Sequence, residues 1–388
     1  MIMDSSFSIG IIGAGTMGSG IAQVAAQAGH STFLYDSRQE AVDKAMAGLG
    51  KTFANLVAKG KLNRDMADAT LARIKPATDL KELSGCGLVV EAIIEDLGIK
   101  KKLFAELESL LPQNAVLASN TSSLSITAIA AACARPERVI GLHFFNPAPL
   151  MPLVEVVPAL QSASGLAADC TELMRAWGKT PVTCKDTPGF IVNRVARPFY
   201  GEAIRIFEEG IADMATIDRA MKSVGGFRMG PFELMDLIGN DINFTVTKTV
   251  WESFFFDPRY RPSITQQRQV EAGWLGRKSG RGYFDHRPEN QPATAQVPND
   301  DPALARAIVD RILVMLINEA VDALHCGLAT REDIDLAMTK GVNYPKGLLQ
   351  WCEELGARVV LERLEGLQHH FGEDRYRPSP LLRAWAGA

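Results

Sequence analysis

The sequence is poor in the features that mark secreted, metal-dependent, membrane-spanning or nucleic-acid-binding proteins. Its six cysteines (Cys86, Cys133, Cys170, Cys184, Cys326 and Cys352) are scattered over 388 residues without a CxxC spacing. That excludes a zinc ribbon and a disulfide framework, and it suits free thiols in a reducing compartment. The six histidines include no HxxxH pair, so no metal is expected. No apolar run reaches the roughly 18 residues of a membrane helix. Met1-Ile2-Met3-Asp4 carries no basic stretch ahead of an apolar one, so no secretory signal is expected and the cytoplasm is the expected location. Lys+Arg 41 against Asp+Glu 45 leaves a net charge of -4 and no general attraction for nucleic acid. What remains is an ordinary globular composition, 47% hydrophobic and 22% charged, with enough chain for two or three domains.

The order of elements is legible. Phe7–Ile12 is an apolar run closed by Gly13-Ala14-Gly15-Thr16-Met17-Gly18, an Ala-rich helical stretch follows, and Ser31–Tyr35 forms a second strand ending at Asp36. Helical patterns cover about 39–59, 64–73 and 100–110, and strand patterns cover 88–94 and 116–119. This alternation predicts a doubly wound parallel sheet. From Pro188-Gly189-Phe190 onward the strand patterns stop and helices follow, with a Pro-, Asn- and Asp-rich linker at 288–302.

The helical part repeats itself at a gapless offset of 117. Ile191-Val192 matches Ile308-Val309, Arg194 matches Arg311, and Glu202-Ala203 matches Glu319-Ala320. Ile217-Asp218 matches Ile334-Asp335, and Gly230 and Gly239 match Gly347 and Gly356. A duplicated helical unit follows. The expected fold class is α/β: a Rossmann-type doubly wound domain at 1–189, helical domains at 190–287 and 303–388, and the linker at 288–302 between them.

GxGxxG is a weak signal alone. Here it lies between a strand and a helix, with an acidic residue closing the next strand. Gly13 permits the tight turn, Gly15 lets a pyrophosphate approach the backbone, and Gly18 lets the helix pack on the strand. Thr16 and Met17 begin that helix, whose N-terminus favours phosphate. Asp36 would accept from a ribose 2′-hydroxyl and repel a 2′-phosphate, which favours NAD, although Arg38 nearby leaves NADP open.

Val139–Phe145 and Leu153–Val157 are strand-like and flank a loop with three prolines. An antiparallel hairpin centred on Pro149 pairs residues whose numbers sum to 298, which sets His143 opposite Glu155. Cross-strand Cβ atoms lie about 4.5–5.5 Å apart, so the carboxylate would fix one ring nitrogen and leave the other to take a proton. In Ser119-Asn120-Thr121-Ser122-Ser123, after a parallel strand, one hydroxyl is expected to cap a helix at 124–132. Others would face a ligand.

Taken together, these motifs resemble the short-chain L-3-hydroxyacyl-CoA dehydrogenases. The resemblance runs through Gly141-Leu142-His143-Phe144-Phe145-Asn146-Pro147, Asp186-Thr187-Pro188-Gly189-Phe190-Ile191-Val192-Asn193-Arg194 and Met229-Gly230-Pro231-Phe232-Glu233-Leu234. It implies an enzyme in which His143 is the general base, Glu155 orients it, and Ser122 and Asn193 bind the reacting oxygen. It also implies NAD as cofactor, with Asp36, Glu95, Lys100, Asn120, Asn146 and Lys278 in cofactor positions. Acyl-CoA is the implied substrate, and Lys51, Lys59 and Lys61 lie where the family places its CoA-binding segment, although each also reads as a solvated helix-face lysine.

The tail, with Asn193-Arg194-Val195-Ala196-Arg197-Pro198, is similar to the 3-hydroxyadipyl-CoA dehydrogenase branch of phenylacetate catabolism. Arg197, four residues past Asn193 on the same expected helix, would either read a group farther along the acyl chain or pack between the helical units. Two rivals stand: a non-catalytic NAD(H)-binding protein on the same fold, and another NAD-dependent β-hydroxyacid dehydrogenase. The duplication raises an intramolecular pseudo-dimer of helical units beside a homo-oligomer.

Overall fold

The computed structural model describes residues 7–288 and 298–387. The amino-terminal stretch on which the absence of a signal was expected, and most of the expected linker, lie outside the described residues. The chain divides into two compact units, Met1–Phe190 and Ile191–Ala388. Among the described residues no helix is long and apolar enough to cross a membrane, and no cluster of His, Cys, Asp and Glu could hold a metal.

The first unit is built on one eight-stranded sheet. Its strands are β1 (Ser8–Ile12), β2 (Thr32–Tyr35), β3 (Ile74–Ala77), β4 (Cys86–Glu91), β5 (Val116–Ser119), β6 (Val139–Phe144), β7 (Leu153–Pro158) and β8 (Thr180–Thr183). The order is β3-β2-β1-β4-β5-β6-β7-β8. Pairing is parallel from β3 to β6, antiparallel between β6 and β7, and parallel again between β7 and β8. The helices are α1 (Thr16–Gln27), α2 (Gln39–Ala58), α3 (Arg64–Arg73), α4 (Leu97–Leu110), α5 (Ile126–Ala130) and α6 (Leu166–Ala176). Ile9, Ile11, Leu34, Leu88, Val90, Ile140, Leu142, Val154 and Val156 pack with Ile21, Ala22, Val42, Cys170 and Leu173 from α1, α2 and α6. Alternate residues Val89, Leu117 and Val139 are buried as well, as a sheet covered on both faces requires.

The strand pattern overshoots at 88–94. The ladder ends at Glu91, and Ile94 is 64% exposed in the connection to α4. The capping expectation is also corrected. The N-cap of α5 is Ser125, whose side chain accepts from Ala128 N, and no residue of 119–123 takes that role. Asp186 finishes the helix start, accepting from Ser125 Oγ and from the Ile126 and Thr127 amides.

The second unit is helical: α7 (Val192–Val195), α8 (Arg197–Glu208), α9 (Met214–Ser223), α10 (Pro231–Ile238), α11 (Asn240–Ser253) and α12 (Ile264–Glu271), then α13 (Pro302–His325), α14 (Arg331–Gly341), α15 (Leu348–Leu355), α16 (Ala357–Phe371) and α17 (Pro380–Gly387). The duplication is visible element by element. α9, α10 and α11 recur 117 residues later as α14, α15 and α16, and the offset drops to 116 by α12 and α17. Asp218 accepts from the Phe232 and Glu233 amides, and Asp335 accepts from Leu349 and Gln350. Gly230 and Gly347 must be glycine because a Cβ on either would lie 2.3 Å from that aspartate's Cγ.

One difference matters. α13 is continuous, whereas its first-copy equivalent is interrupted at Ala196, which closes α7 and opens α8. Asn193 and Arg197 therefore lie on two short helices, not the single helix expected. Pro198, with no amide hydrogen to give, sits at the interruption, where the second copy has Met315.

The two copies exchange equivalent contacts. Arg194 Nε donates to Glu319 Oε1 at 2.7 Å, and Arg311 Nε donates to Glu202 Oε2 at 3.1 Å. Tyr260 donates its hydroxyl proton to Glu319 (2.6 Å), as Tyr376 does to Glu202 (2.9 Å). Residue i of one copy meets residue j of the other, and j meets i, which is the signature of a two-fold interface. Burial alone would raise the Glu202 pKa, but the Arg205, Arg311 and Arg375 charges and the Tyr376 bond outweigh it and hold the carboxyl below its ordinary range.

Candidate active site

The parallel strands all end at one edge of the sheet, and the sequence motifs of the first unit collect there. The glycine loop follows β1, Asp36 follows β2, Glu95 follows β4, Asn120–Ser123 follow β5, and β6 ends beside His143. Strand order reverses between β1 and β4, the switch point at which open α/β sheets bind ligands.

The loop geometry fits a dinucleotide. Gly13 has φ +103°, and a Cβ there would lie 2.5 Å from the Ala92 carbonyl oxygen. A Cβ on Gly18 would overlap the Gly13 carbonyl at 1.7 Å, so the α1 backbone rests directly on the turn. Gly15 is different, because nothing lies within 4 Å of where its Cβ would be. Gly15 is also the N-cap of α1 and offers no side chain, so the positive end of a 12-residue helix, beginning Thr16-Met17, is open to phosphate. Asp36 is fixed beside this loop: Oδ2 accepts from Ala14 N at 2.9 Å and Oδ1 from Arg38 N at 3.0 Å.

The expected hairpin is present with the expected register. Ile140 faces Pro158 and Gly141 faces Val157, so His143 faces Glu155. Nδ1 of His143 lies 2.6 Å from Glu155 Oε2, and both side chains are nearly closed to solvent, at 8% and 0% exposure. The imidazole packs against the rings of Phe145 and Phe190, with centroids at 4.4 and 5.9 Å. Phe190 follows Gly189, and both have positive φ (48° and 75°). For a phenylalanine this is a strained backbone, held where its ring flanks the imidazole.

A polar network joins the neighbouring loops. Glu95 Oε1 accepts from Thr121 Oγ1 (2.6 Å), Ser122 N (2.9 Å) and Ser123 Oγ (3.0 Å), with Ser122 Oγ at 3.3 Å. Burial pushes the Glu95 pKa up, but the Lys100 charge and these bonds together bring it below its ordinary value. Asn120 Oδ1 accepts from Phe144 N at 2.8 Å and ties the β5 loop to the residue after the histidine. Asn146, two residues further on, is exposed.

Lys100 is 1% exposed and donates from Nζ to Glu91 Oε1 at 2.5 Å, with Glu95 Oε2 at 3.4 Å. Its charge favours the ionised form of Glu95. Glu91 was missed by the sequence reading. It also accepts from Ser119 Oγ (2.7 Å) and Ile93 N (2.7 Å), so it holds the ends of β4 and β5 together. A charged residue closing an apolar strand was the available signal. Lys51 on α2, Lys59 at its C-cap and Lys61 are exposed and form no ion pair among the described residues.

The second unit carries the remaining candidates. Asn193 lies in α7. Lys278 donates from Nζ to both oxygens of Asp241, at 2.6 and 2.7 Å. Arg197 opens α8 and is buried.

A switch-point glycine loop, an acidic residue closing the second strand and a buried His–Glu pair at the same sheet edge define an NAD-dependent oxidoreductase. Residues 8–187 match the profile of the 3-hydroxyacyl-CoA dehydrogenase NAD-binding domain, and residues 189–286 and 308–388 each match that of its C-terminal domain. The chain is 42% identical to 3-hydroxyadipyl-CoA dehydrogenase of Escherichia coli K12 over an alignment of 458 positions, covering 97% of this chain and 96% of that one. It is 40% identical to human mitochondrial hydroxyacyl-coenzyme A dehydrogenase, over 71% of this chain and 90% of that one. The crystal structure of 3-hydroxybutyryl-CoA dehydrogenase from E. coli K12 matches with a TM-score of 0.92 and 40% identity, covering 99% and 98% of the two chains. The chain belongs to the 3-hydroxyacyl-CoA dehydrogenase family.

Proposed function

We propose that this enzyme oxidises (S)-3-hydroxyacyl-CoA to 3-oxoacyl-CoA with His143 as general base. The observation that carries the reading is the 2.6 Å contact between His143 Nδ1 and Glu155, beside the glycine loop. With Nδ1 committed to the carboxylate, Nε2 is the nitrogen left to take the C3 hydroxyl proton. NAD, when bound, supplies the acceptor for the C3 hydride. Glu155 stabilises the imidazolium that forms, and in reduction the same imidazolium returns its proton to the oxygen. Ser122 and Asn193 are the proposed ligands of that oxygen. Gly13, Gly15, Thr16, Met17, Gly18 and Asp36 would hold the pyrophosphate and adenosine ribose, with Glu95, Lys100, Asn120, Asn146 and Lys278 at the other cofactor positions. Lys51 and Lys59 are the proposed contacts for CoA.

The second helical copy supplies, in this proposal, the surface that a partner subunit gives in single-copy relatives. The reciprocal Arg194–Glu319 and Arg311–Glu202 pairs support it. Six free thiols suit the cytoplasm.

The test is NADH formation from NAD with (S)-3-hydroxybutyryl-CoA and with 3-hydroxyadipyl-CoA, against the CoA-free hydroxyacids. Turnover of the thioesters alone is expected. NAD(H) binding without turnover would leave a non-catalytic binding protein, and equal turnover of the free acids would point to a general β-hydroxyacid dehydrogenase.

A further inference from the structure

Six arginines are buried among the described residues: Arg138, Arg194, Arg197, Arg205, Arg311 and Arg375. Five have a carboxylate within 4 Å: Glu108 for Arg138, Glu319 and Asp322 for Arg194, and Glu202 for Arg205, Arg311 and Arg375. Arg197 has none. It is 7% exposed, donates from Nη1 to Thr247 Oγ1 at 3.2 Å, and lies over the Tyr200 ring at 5.0 Å. Its Nε is buried without a hydrogen-bond partner. Burial presses its pKa down, and only the tyrosines Tyr200 and Tyr344 oppose this. A second buried and unpartnered polar atom is nearby, the Tyr344 hydroxyl. The guanidinium and the phenol are close enough to interact electrostatically, and among the described residues no carboxylate pairs with the first and nothing accepts from the second.

An uncompensated buried cation is costly, and natural proteins seldom keep one without a use. The fold does not require it. In the second copy the position of Arg197 is taken by Val314, 1% exposed, and the position of Tyr344 is taken in the first copy by Phe227. The duplication therefore shows the same helical framework built with an apolar residue at each position. Both departures give donors, and a carboxylate is the ligand that would accept from both.

We propose that Arg197 and Tyr344 form a carboxylate subsite that selects 3-hydroxyacyl-CoA substrates whose acyl chain ends in a second carboxylate. The proposal rests on the dehydrogenase reading above, in which Asn193 binds the C3 oxygen. Arg197 follows Asn193 by four residues, across the junction at Ala196 between α7 and α8, so the chain carries it only a short way past the residue proposed to bind the C3 oxygen. That suits a carboxylate a few bonds beyond C3.

The experiment measures kcat/KM for 3-hydroxyadipyl-CoA and (S)-3-hydroxybutyryl-CoA in the wild type, Arg197→Val and Tyr344→Phe, each variant adopting the residue of the other copy. Thermal melts accompany the kinetics. The wild type prefers the dicarboxylate. In Arg197→Val the ratio of the two kcat/KM values falls by about 10- to 100-fold, the range of a lost charge-assisted hydrogen bond, mainly through KM. Tyr344→Phe shifts the ratio the same way by a few-fold. The Arg197→Val melting temperature is equal to or above that of the wild type, because an unpaired charge has been removed. An unchanged ratio, equal losses on both substrates or an Arg197→Val protein that is unfolded or melts lower would assign Arg197 to packing and overturn the subsite. No NADH from either substrate in the wild type would overturn the dehydrogenase reading itself.

Discussion

His143 and Glu155 are direct cross-strand partners, and Nδ1 of the first lies 2.6 Å from a carboxylate oxygen of the second. The contact is set by the backbone ladder of β6 and β7, so the imidazole is oriented before any substrate arrives. Glu155→Gln keeps the shape but removes the charge, and its amide can present a donor where an acceptor is needed. Steady-state kinetics should show kcat lowered by about 10²- to 10⁴-fold with KM for NAD unchanged. A kcat within threefold of wild type would show that the carboxylate is dispensable.

Lys59 tests the CoA surface. It is exposed and unpaired among the described residues, so reversing its charge disturbs little of the fold. Lys59→Glu should raise KM for the acyl-CoA by about 3- to 10-fold, as expected for an exposed charge contact of about 1 kcal/mol, and leave NADH binding alone. An unmoved KM would make Lys59 a solvated surface residue.

Removing the second helical copy exposes what it covers. Without residues 288–388, Glu202 keeps Arg205 but loses Arg311, Arg375 and Tyr376, and Arg194 loses Glu319 and Asp322, so a face that was buried is opened to solvent. Chains ending at Arg287 should pair with each other, and sedimentation should find a dimer. A soluble, active monomer would show that the second copy only stabilises the first.

Much of this architecture is legible in sequence because it is local or periodic. The sum of 298 across the proline loop fixes the His143–Glu155 pairing, and the 117-residue offset anticipates the helices of the second copy. Other features depend on folding distance. Lys100 turns inward because Glu91 waits at the end of β4, and nothing in its neighbours announces that. Ser125, not a residue of 119–123, caps α5, and Thr121 to Ser123 turn instead to Glu95 from another loop. The counter-ions of Arg194 and Arg311 lie more than 100 residues away in the chain. The missing counter-ion of Arg197 becomes visible only once theirs are known.

Asp218 offers a test by pH. Burial pushes its carboxyl up to about 7, against the Phe232 and Glu233 amides and the Lys222 charge, which favour the ionised form. The folded state therefore keeps this proton to a higher pH than the unfolded chain does. Its contribution to stability is fully present below about pH 4, the unfolded carboxylate value. It is lost as pH rises through 7. The melting-temperature difference between wild type and Asp218→Asn should accordingly fall between pH 4 and 7 and level off above 8. A difference that stays flat, or rises over that interval, would contradict the assignment.

The central claim is that His143 moves the hydroxyl proton, and rapid-mixing kinetics of His143→Gln test it most directly. With NAD and (S)-3-hydroxybutyryl-CoA both saturating, the single-turnover rate of NADH formation should fall by about 10²- to 10⁴-fold, the usual worth of a positioned general base. The dissociation constant for NADH should stay at its wild-type value. A His143→Gln enzyme that forms NADH at a near-wild-type rate would remove His143 from the reaction and contradict the account.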